Sequence, residues 1–299
     1  MLPFHTVYLY ARTIHSEDIV YIQTLLQKIL VDGIVVFCHI DFLSAVSSYP
    51  DISNTLSKLP SFTFDALPTK EKQVIMAMGG DGTILHVVHL LKGKTIPVLG
   101  INLGRLGFLS GVKKIEIAHA IDALFAHNYY IDQRTLIGIA SQTGSFGDFP
   151  YGLNEFSVRR LDSSPMINIS IYLDDELLNS YWADGMLIST PTGSTAYSLS
   201  CGGPILFPQS GNFVITPVAP HSLSVRPVVI KDDKCIRVEV AGRSKNFMIT
   251  LDARHSYITS DQVVQLKRAP FYAYLVYVGS STFMNRIREK LHWGEDKRN

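Results

Sequence analysis

A change of period near residue 134 constrains this chain more than any other feature. Before it, short apolar runs alternate with helical patterns. The runs are TVYLY at 6–10, IVVFC at 34–38, QVIMAM at 73–78 and IPVLGIN at 96–102. Between the first two, Ile19, Ile22, Leu26 and Ile29 recur at helical spacing, with Ser16 as expected N-cap and Gly33 as stop. Asp41 is expected to cap a short helix through 48, and residues up to about 72 read as a polar stretch. Further helices are expected over roughly 83–92 and at Ile117, Ile121, Leu124 and Phe125, ending near His127. Such alternation requires a parallel sheet, because the crossover helices must cover both of its faces. After Arg134 the helices stop. LIGIAS, EFSVRR, INISIYL, GMLIST, FVITPV, CIRVEV and NFMITL are short β-rich runs separated by Gly, Asp, Asn and Pro.

The expected fold is therefore α/β plus all-β. A Rossmann-like open parallel sheet with helices on both faces comes first, followed by a mainly antiparallel β domain in which IYLDDELL turns at Asp174 and Asp175. Helical spacing returns at Phe283, Ile287 and Leu291, and that last helix should dock back on the α/β domain. The expected boundaries are 1–133, 134–280 and 281–299. At 299 residues, two domains is the natural count.

A net charge of +1 gives no basic field for nucleic acid or an anionic membrane, so an anionic ligand must be held locally. The opening MLPFHTVYLYARTIH lacks the pattern of a signal peptide, and no window reaches the ~18 apolar residues of a spanning helix. Cys38, Cys201 and Cys235 are odd in number and form no CxxC pair, which argues against a disulfide framework or thiolate metal site. A reduced cytoplasm is the expected location.

Two stretches carry chemistry. Gly79-Gly80-Asp81-Gly82-Thr83 follows a buried strand and opens a helix. Ligands of open parallel sheets bind beyond strand carboxyl ends, where a helix N-terminus offers free N–H groups and glycines let a phosphate approach. A carboxylate there repels an anion unless it meets a metal or takes a proton from an attacking group. The plainer alternative is a tight turn with Asp81 capping the helix. The run is neither a P-loop nor GxGxxG. The second stretch, Asp184 to Ser200, opens a strand into a loop of Thr190, Thr192, Ser194, Thr195 and Ser198, whose hydroxyls suit ribose, amide and phosphate oxygens. Tyr197 could offer a flat face to a base. The alternative is an ordinary polar β-connection. His86 and His89 stand three apart on the expected helix with no third ligand, so no metal-ligating residue is assigned.

Together these stretches resemble the NAD kinase family. GGDGT is shared with lipid kinases. Asn154-Glu155, the run DGMLISTPTGSTAYSLS from Asp184, Thr216 to Ser224 with Arg226-Pro227, and the ending EKLHWGEDKR are similar to that family's own segments. The resemblance implies transfer of the terminal phosphoryl group of ATP, with Mg²⁺, to the 2′-hydroxyl of the adenosine ribose of NAD. It implies Asp81 as general base, Gly82 against phosphate, Asn154 near adenine and Glu155 near the ribose. Asp184 would take the nicotinamide or ribose end, and Thr195, Ala196, Tyr197, Ser198, Leu199 and Ser200 would line the pocket. His86, His221 and Ala219 lie in motif segments as lesser candidates. A homodimer or homotetramer assembled through the β domain is also implied. One departure stands out: Asp252-Ala253-Arg254 replaces the Asp-Gly-Gln of many members, leaving Arg254 to reach a phosphate or face solvent. The competing readings are a lipid kinase, which would leave the hydroxyl-rich loop idle, and a non-catalytic dinucleotide sensor, which would not need Asp81. A dehydrogenase is disfavoured because no dinucleotide fingerprint follows the first strand.

Overall fold

The computed structural model describes residues 3–104, 107–141, 146–161, 165–279 and 281–293. The chain divides into two compact units, Met1–Asp132 with Tyr274–Asn299, and Gln133–Ala273.

The first unit runs β1 (Thr6–Ala11), α1 (Ile19–Ile29), β2 (Val35–His39), α2 (Ile40–Ala45), α3 (Pro50–Leu56), β3 (Ser61–Phe62), β4 (Gln73–Met78), α4 (Asp81–Leu91), β5 (Val98–Asn102), β6 (Val112–Lys113) and α5 (Ile117–Phe125). β1 pairs in parallel with β2 and β4, β4 with β5, β2 with β3, and β5 with β6. Every residue of β4 is buried, as a strand covered on both faces must be. On one face Val7, Leu9, Met76 and Leu99 pack with Ile22, Leu25 and Ile29 of α1, Ile52 of α3, and Ile121 and Leu124 of α5. On the other, Tyr8 and Tyr10 meet the rings of Phe37, His39, Phe62 and Phe64, and the ring of His86 from α4 lies 6.1 Å from that of Tyr10. Helices thus cover both faces, as the alternation requires.

Three local expectations are corrected. The stretch before residue 72 contains α3 and β3, and Pro50 opens that helix where a missing N–H costs nothing. The cap of α2 is His39, whose Nδ1 accepts from the Asp41 amide at 3.1 Å; Asp41 itself sits inside the first turn. Ser16 begins a single 3-10 turn, with His15 at its cap position, and the α-helix starts only at Ile19.

Strand β7 (Tyr129–Ile139) carries the chain into the second unit. There follow β8 (Tyr151–Gly152), β9 (Glu155–Arg159), β10 (Ile167–Leu173), β11 (Glu176–Ala183), β12 (Gly185–Ser189), the single turn α6 (Tyr197–Ser200), β13 (Asn212–Val218), β14 (Val228–Lys231), β15 (Ile236–Ala241), β16 (Asn246–Leu251), β17 (Arg254–Thr259) and β18 (Val264–Val278). One antiparallel sheet has the order β14-β13-β12-β9-β16-β17. Against it β11, β10, β15 and the first part of β18 form a second, and Phe156, Val158, Ile188, Ile215 and Ile249 from one meet Ile169, Ile171, Val238 and Leu266 from the other in one core. The β10–β11 hairpin turns at Asp174 and Asp175, both with positive φ (48° and 71°), as the tight two-residue turn demands.

The last residues of β18 return to the first unit, where Leu275 and Val276 pair in parallel with Val98 and Leu99 of β5. Helix α7 (Phe283–Leu291) follows, capped by Thr282, with Ile287 buried and the Arg286 guanidinium 3.9 Å from the ring centre of Tyr277. It docks within the α/β unit, as its apolar spacing predicts. Of the tail resemblance, residues 294–298 lie outside the described residues.

Candidate active site

In the first unit Asp81 is the first residue of α4, three positions after β4 ends. It does not cap the helix: Gly80 occupies the cap position and no side chain bonds there. The carboxylate instead turns to the loop after β5. Oδ2 accepts from the Phe108 amide at 2.7 Å, while Oδ1 accepts from the amides of Leu109 (3.1 Å) and Ser110 (3.2 Å) and from Ser110 Oγ (3.3 Å). Three amides and a hydroxyl meet the charge that made a carboxylate in this turn look awkward. The approach requires glycine at 107, where a Cβ would overlap the Asp81 carboxylate. Asn102, buried at the end of β5, shapes the same loop by accepting from the Gly104 amide (2.7 Å) and donating to Ser110 Oγ (2.9 Å). Space beside Gly80 and Gly82 is open, with no atom within 4 Å of a Cβ placed there. His86 packs on Tyr10, and burial, its largest influence, lowers its pKa.

In the second unit Asn154 and Glu155 stand where the chain enters β9. They are fixed from two sides. Thr190 donates from its amide to Asn154 O (2.9 Å) and from Oγ1 to Leu153 O (2.6 Å). Asp252 accepts from the amides of Leu153 (2.8 Å), Asn154 (2.7 Å) and Glu155 (3.2 Å). Gly193 packs directly on the Asn154 backbone, where any Cβ would collide with the carbonyl. Glu155 lines a cavity of about 330 Å³ with Arg159, Tyr197, Asp252, His255 and Tyr257. Its Oε2 is buried without a hydrogen-bond partner among the described residues, and burial, reinforced by the charge of Asp252, pushes its carboxyl up to about 8.

In the hydroxyl-rich loop several side chains have internal partners. Ser194 Oγ donates to Pro191 O (2.7 Å) and accepts from the Leu206 amide (2.9 Å), and Thr195 Oγ1 donates to Thr192 O (3.1 Å). Ser198 Oγ is buried and shares a 2.8 Å hydrogen bond with Thr216 Oγ1. Each of these three hydroxyls has a partner within its own unit. What the loop presents outward is Tyr197, with Ala196 and Leu199 half-buried and Ser200 exposed beside it. Asp184 precedes β12, and its Oδ1 forms a 2.6 Å ion pair with Arg160 Nε. Ala219, exposed after β13, has φ +46°. Arg254 is half-buried and turned toward the segment before β9. Its guanidinium donates to the carbonyls of Phe149 (2.8 Å), Tyr151 and Phe146.

Sequence reasoning missed Asp252 and the Asn102–Ser110 loop as parts of the site. The available signals were faint: a lone carboxylate in a hairpin turn, and an Asn at a strand end followed by two glycines.

The chain matches the profile of the ATP-NAD kinase N-terminal domain over residues 40–129 and that of the ATP-NAD kinase C-terminal domain over 153–278. It is 40% identical over 298 residues to the NAD kinase of Cytophaga hutchinsonii, covering 97% of this chain and 99% of that one. Against the NAD kinase of Flavobacterium psychrophilum it is 42% identical over 260 residues, covering 86% and 87%. Among solved structures it resembles yeast NADH kinase complexed with NADH, with TM-score 0.81, 25% identity, and 98% and 89% of the two chains covered.

Proposed function

Because this chain belongs to the NAD kinase family and is a phosphotransferase acting on NAD, we propose that it moves the terminal phosphoryl group of ATP to the 2′-hydroxyl of the adenosine ribose. The observation that carries this reading is Asp81, a carboxylate at the switch from parallel strand to helix, held by loop amides in a fixed orientation. Of its two oxygens Oδ2 has a single donor among the described residues, so it is the atom with capacity to accept the hydroxyl proton. A carboxylate is too weak a base to ionise a sugar hydroxyl outright; it takes the proton as the O–P bond forms. The open space at Gly80 and Gly82, beside the first amides of α4, suits phosphate oxygens.

The second unit supplies the dinucleotide end. Asn154 and Glu155 bind the adenosine part, Asn154 near adenine and Glu155 near the ribose, with Tyr197 supporting a planar ring. Ala196, Leu199, Ser200 and Ala219 border the ligand, and Asp184, oriented by Arg160, takes its far end. What supports this is the Glu155 carboxyl, lining the cavity with one oxygen unpartnered.

Among the described residues no group of three or more His, Cys, Asp or Glu is gathered to hold an ion, and in this reading the divalent cation comes with the triphosphate. When bound, Mg²⁺ neutralises charge on the phosphates, and in-line transfer needs alignment more than covalent help. Among the described residues no helix is long and apolar enough to cross a membrane. We place the enzyme in the cytoplasm and read it as a homodimer or homotetramer, the assembly being supported by exposed apolar residues of the β unit such as Trp182 (55% exposed) and Leu223 (90%). Light scattering tests the assembly.

The deciding experiment incubates the purified protein with NAD, Mg²⁺ and ATP and assays NADP. Formation of NADP by the wild type and its loss in Asp81→Asn support the proposal. Full turnover in the variant would remove Asp81 from the mechanism, and no NADP from the wild type would overturn the reading.

A further inference from the structure

The turn Asp252-Ala253-Arg254, which departs from the family pattern at Ala253 and Arg254, closes the β16–β17 hairpin and bonds to residues 146–155. Asp252 adopts φ +52°, which directs its carboxylate into the protein. That carboxylate accepts three consecutive amides, from Leu153 to Glu155, and the Asp252 amide donates back to Glu155 O at 3.0 Å. Two residues on, the Arg254 guanidinium takes the opposite polarity of the same segment, the carbonyls of Phe146, Phe149 and Tyr151. Amides are held by an anion and carbonyls by a cation, and the two charges sit close enough for each to influence the other. A glutamine at 254 has two donors and no charge, so it cannot hold three carbonyls at once.

We propose that Asp252 and Arg254 form a two-sided clamp that positions Asn154 and Glu155, making Arg254 a determinant of dinucleotide affinity in this chain. The ligand named here rests on the function proposed above; the clamp itself does not. Neither residue is assigned to chemistry. Both act through the backbone, so loosening the clamp changes where the Asn154 and Glu155 side chains point and leaves the Asp81 loop untouched.

Asp252 has a second, electrostatic effect. Its charge adds to burial in holding Glu155 protonated. The charged and titratable groups near Glu155 are Asp252 from the turn, Arg159 from its own strand, Tyr197 from α6 with Cys201 just after it, and His255 and Tyr257 from β17. Removing the Asp252 charge should move the Glu155 transition toward acid, while burial keeps it above the ordinary carboxylate range.

Hydrogen exchange and kinetics on Arg254→Gln and Asp252→Asn test this together, with Arg254→Lys as the milder variant. Amides of residues 146–157 should exchange roughly tenfold faster in Arg254→Gln and Asp252→Asn while the β10–β15 core is unchanged. The KM for NAD should rise about tenfold, with kcat altered far less. In Asp252→Asn the pH profile of that KM should shift to lower pH. Arg254→Lys, which keeps the charge without the fork, should fall between wild type and Arg254→Gln. Unchanged exchange across 146–157, exchange raised uniformly through the β unit, or loss of kcat at constant KM would each overturn the clamp. If the wild type formed no NADP, the functional reading would fail, and the exchange data would still decide for or against the clamp.

Discussion

Asp81 and Glu155 are both carboxylates near expected ligand positions, yet their surroundings differ in kind. Asp81 is met by three amides and a hydroxyl, whereas Glu155 keeps one buried oxygen unpartnered beside a second acid. Asp81→Asn should retain NAD binding by calorimetry while turnover falls by roughly 10²–10⁴. For Glu155 the effect appears in stability. Below pH 4.5, the ordinary value, the group is protonated folded and unfolded alike. Between there and about 8 only the folded chain keeps the proton, so this contribution to stability is lost as pH rises through that window. Glu155→Gln should flatten the slope and, measured by urea unfolding of the free protein at pH 8, stabilise it by roughly 1–3 kcal/mol. Equal slopes in wild type and variant would contradict the assignment.

At the scale of elements, the loop from Thr190 to Ser200 works as a wedge that holds the entry to β9. Thr190 Oγ1, fully buried, donates to Leu153 O and accepts from the Gly193 amide at 3.2 Å, so a single hydroxyl joins loop and strand entry. Thr190→Val removes both bonds and strands a buried carbonyl, and should cost about 1–3 kcal/mol by urea melting. Its KM for NAD should rise, since the Leu153 carbonyl beside Asn154 loses its partner, while the Thr190 amide still donates to Asn154 O. Gly107 plays the matching part in the α/β unit. Gly107→Ala should lower kcat by displacing the loop that holds Asp81, with little change in NAD affinity.

Across the whole molecule, the chain leaves the α/β unit at Asp132 and comes back at Tyr274, so its C-terminal residues complete a unit begun by its N-terminal ones. α7 contributes the Arg286–Tyr277 contact, the Lys113–Glu289 ion pair and buried Ile287 to that unit. Ile287→Ala should destabilise the protein by roughly 2 kcal/mol, toward the low end for buried aliphatic truncations because a short terminal helix can readjust. Thermal melting monitored by circular dichroism measures it. An unchanged Tm would mean that the helix adds nothing to the unit's stability.

Periodicity determined the α/β-then-β order, the parallel and antiparallel sheets and the docking of the last helix, and turn residues determined the Asp174-Asp175 turn, because these follow from local backbone preference and from which faces must be buried. The sequence also singled out GGDGT, Asn154-Glu155 and the Tyr197 loop as the segments of interest. Only the tertiary structure decided what each polar group faces. Of the loop hydroxyls read as ligand contacts, Ser194 Oγ donates to Pro191 O and Ser198 Oγ pairs with Thr216 Oγ1, and Asp81, read as a possible cap, is gripped by a loop about 27 residues away. Asp252 and Arg254 met the segment they hold only when the hairpin folded onto it. Hydrogen-bond partnership depends on distances of about 3 Å between residues far apart in the chain, and no local pattern of residue types encodes it.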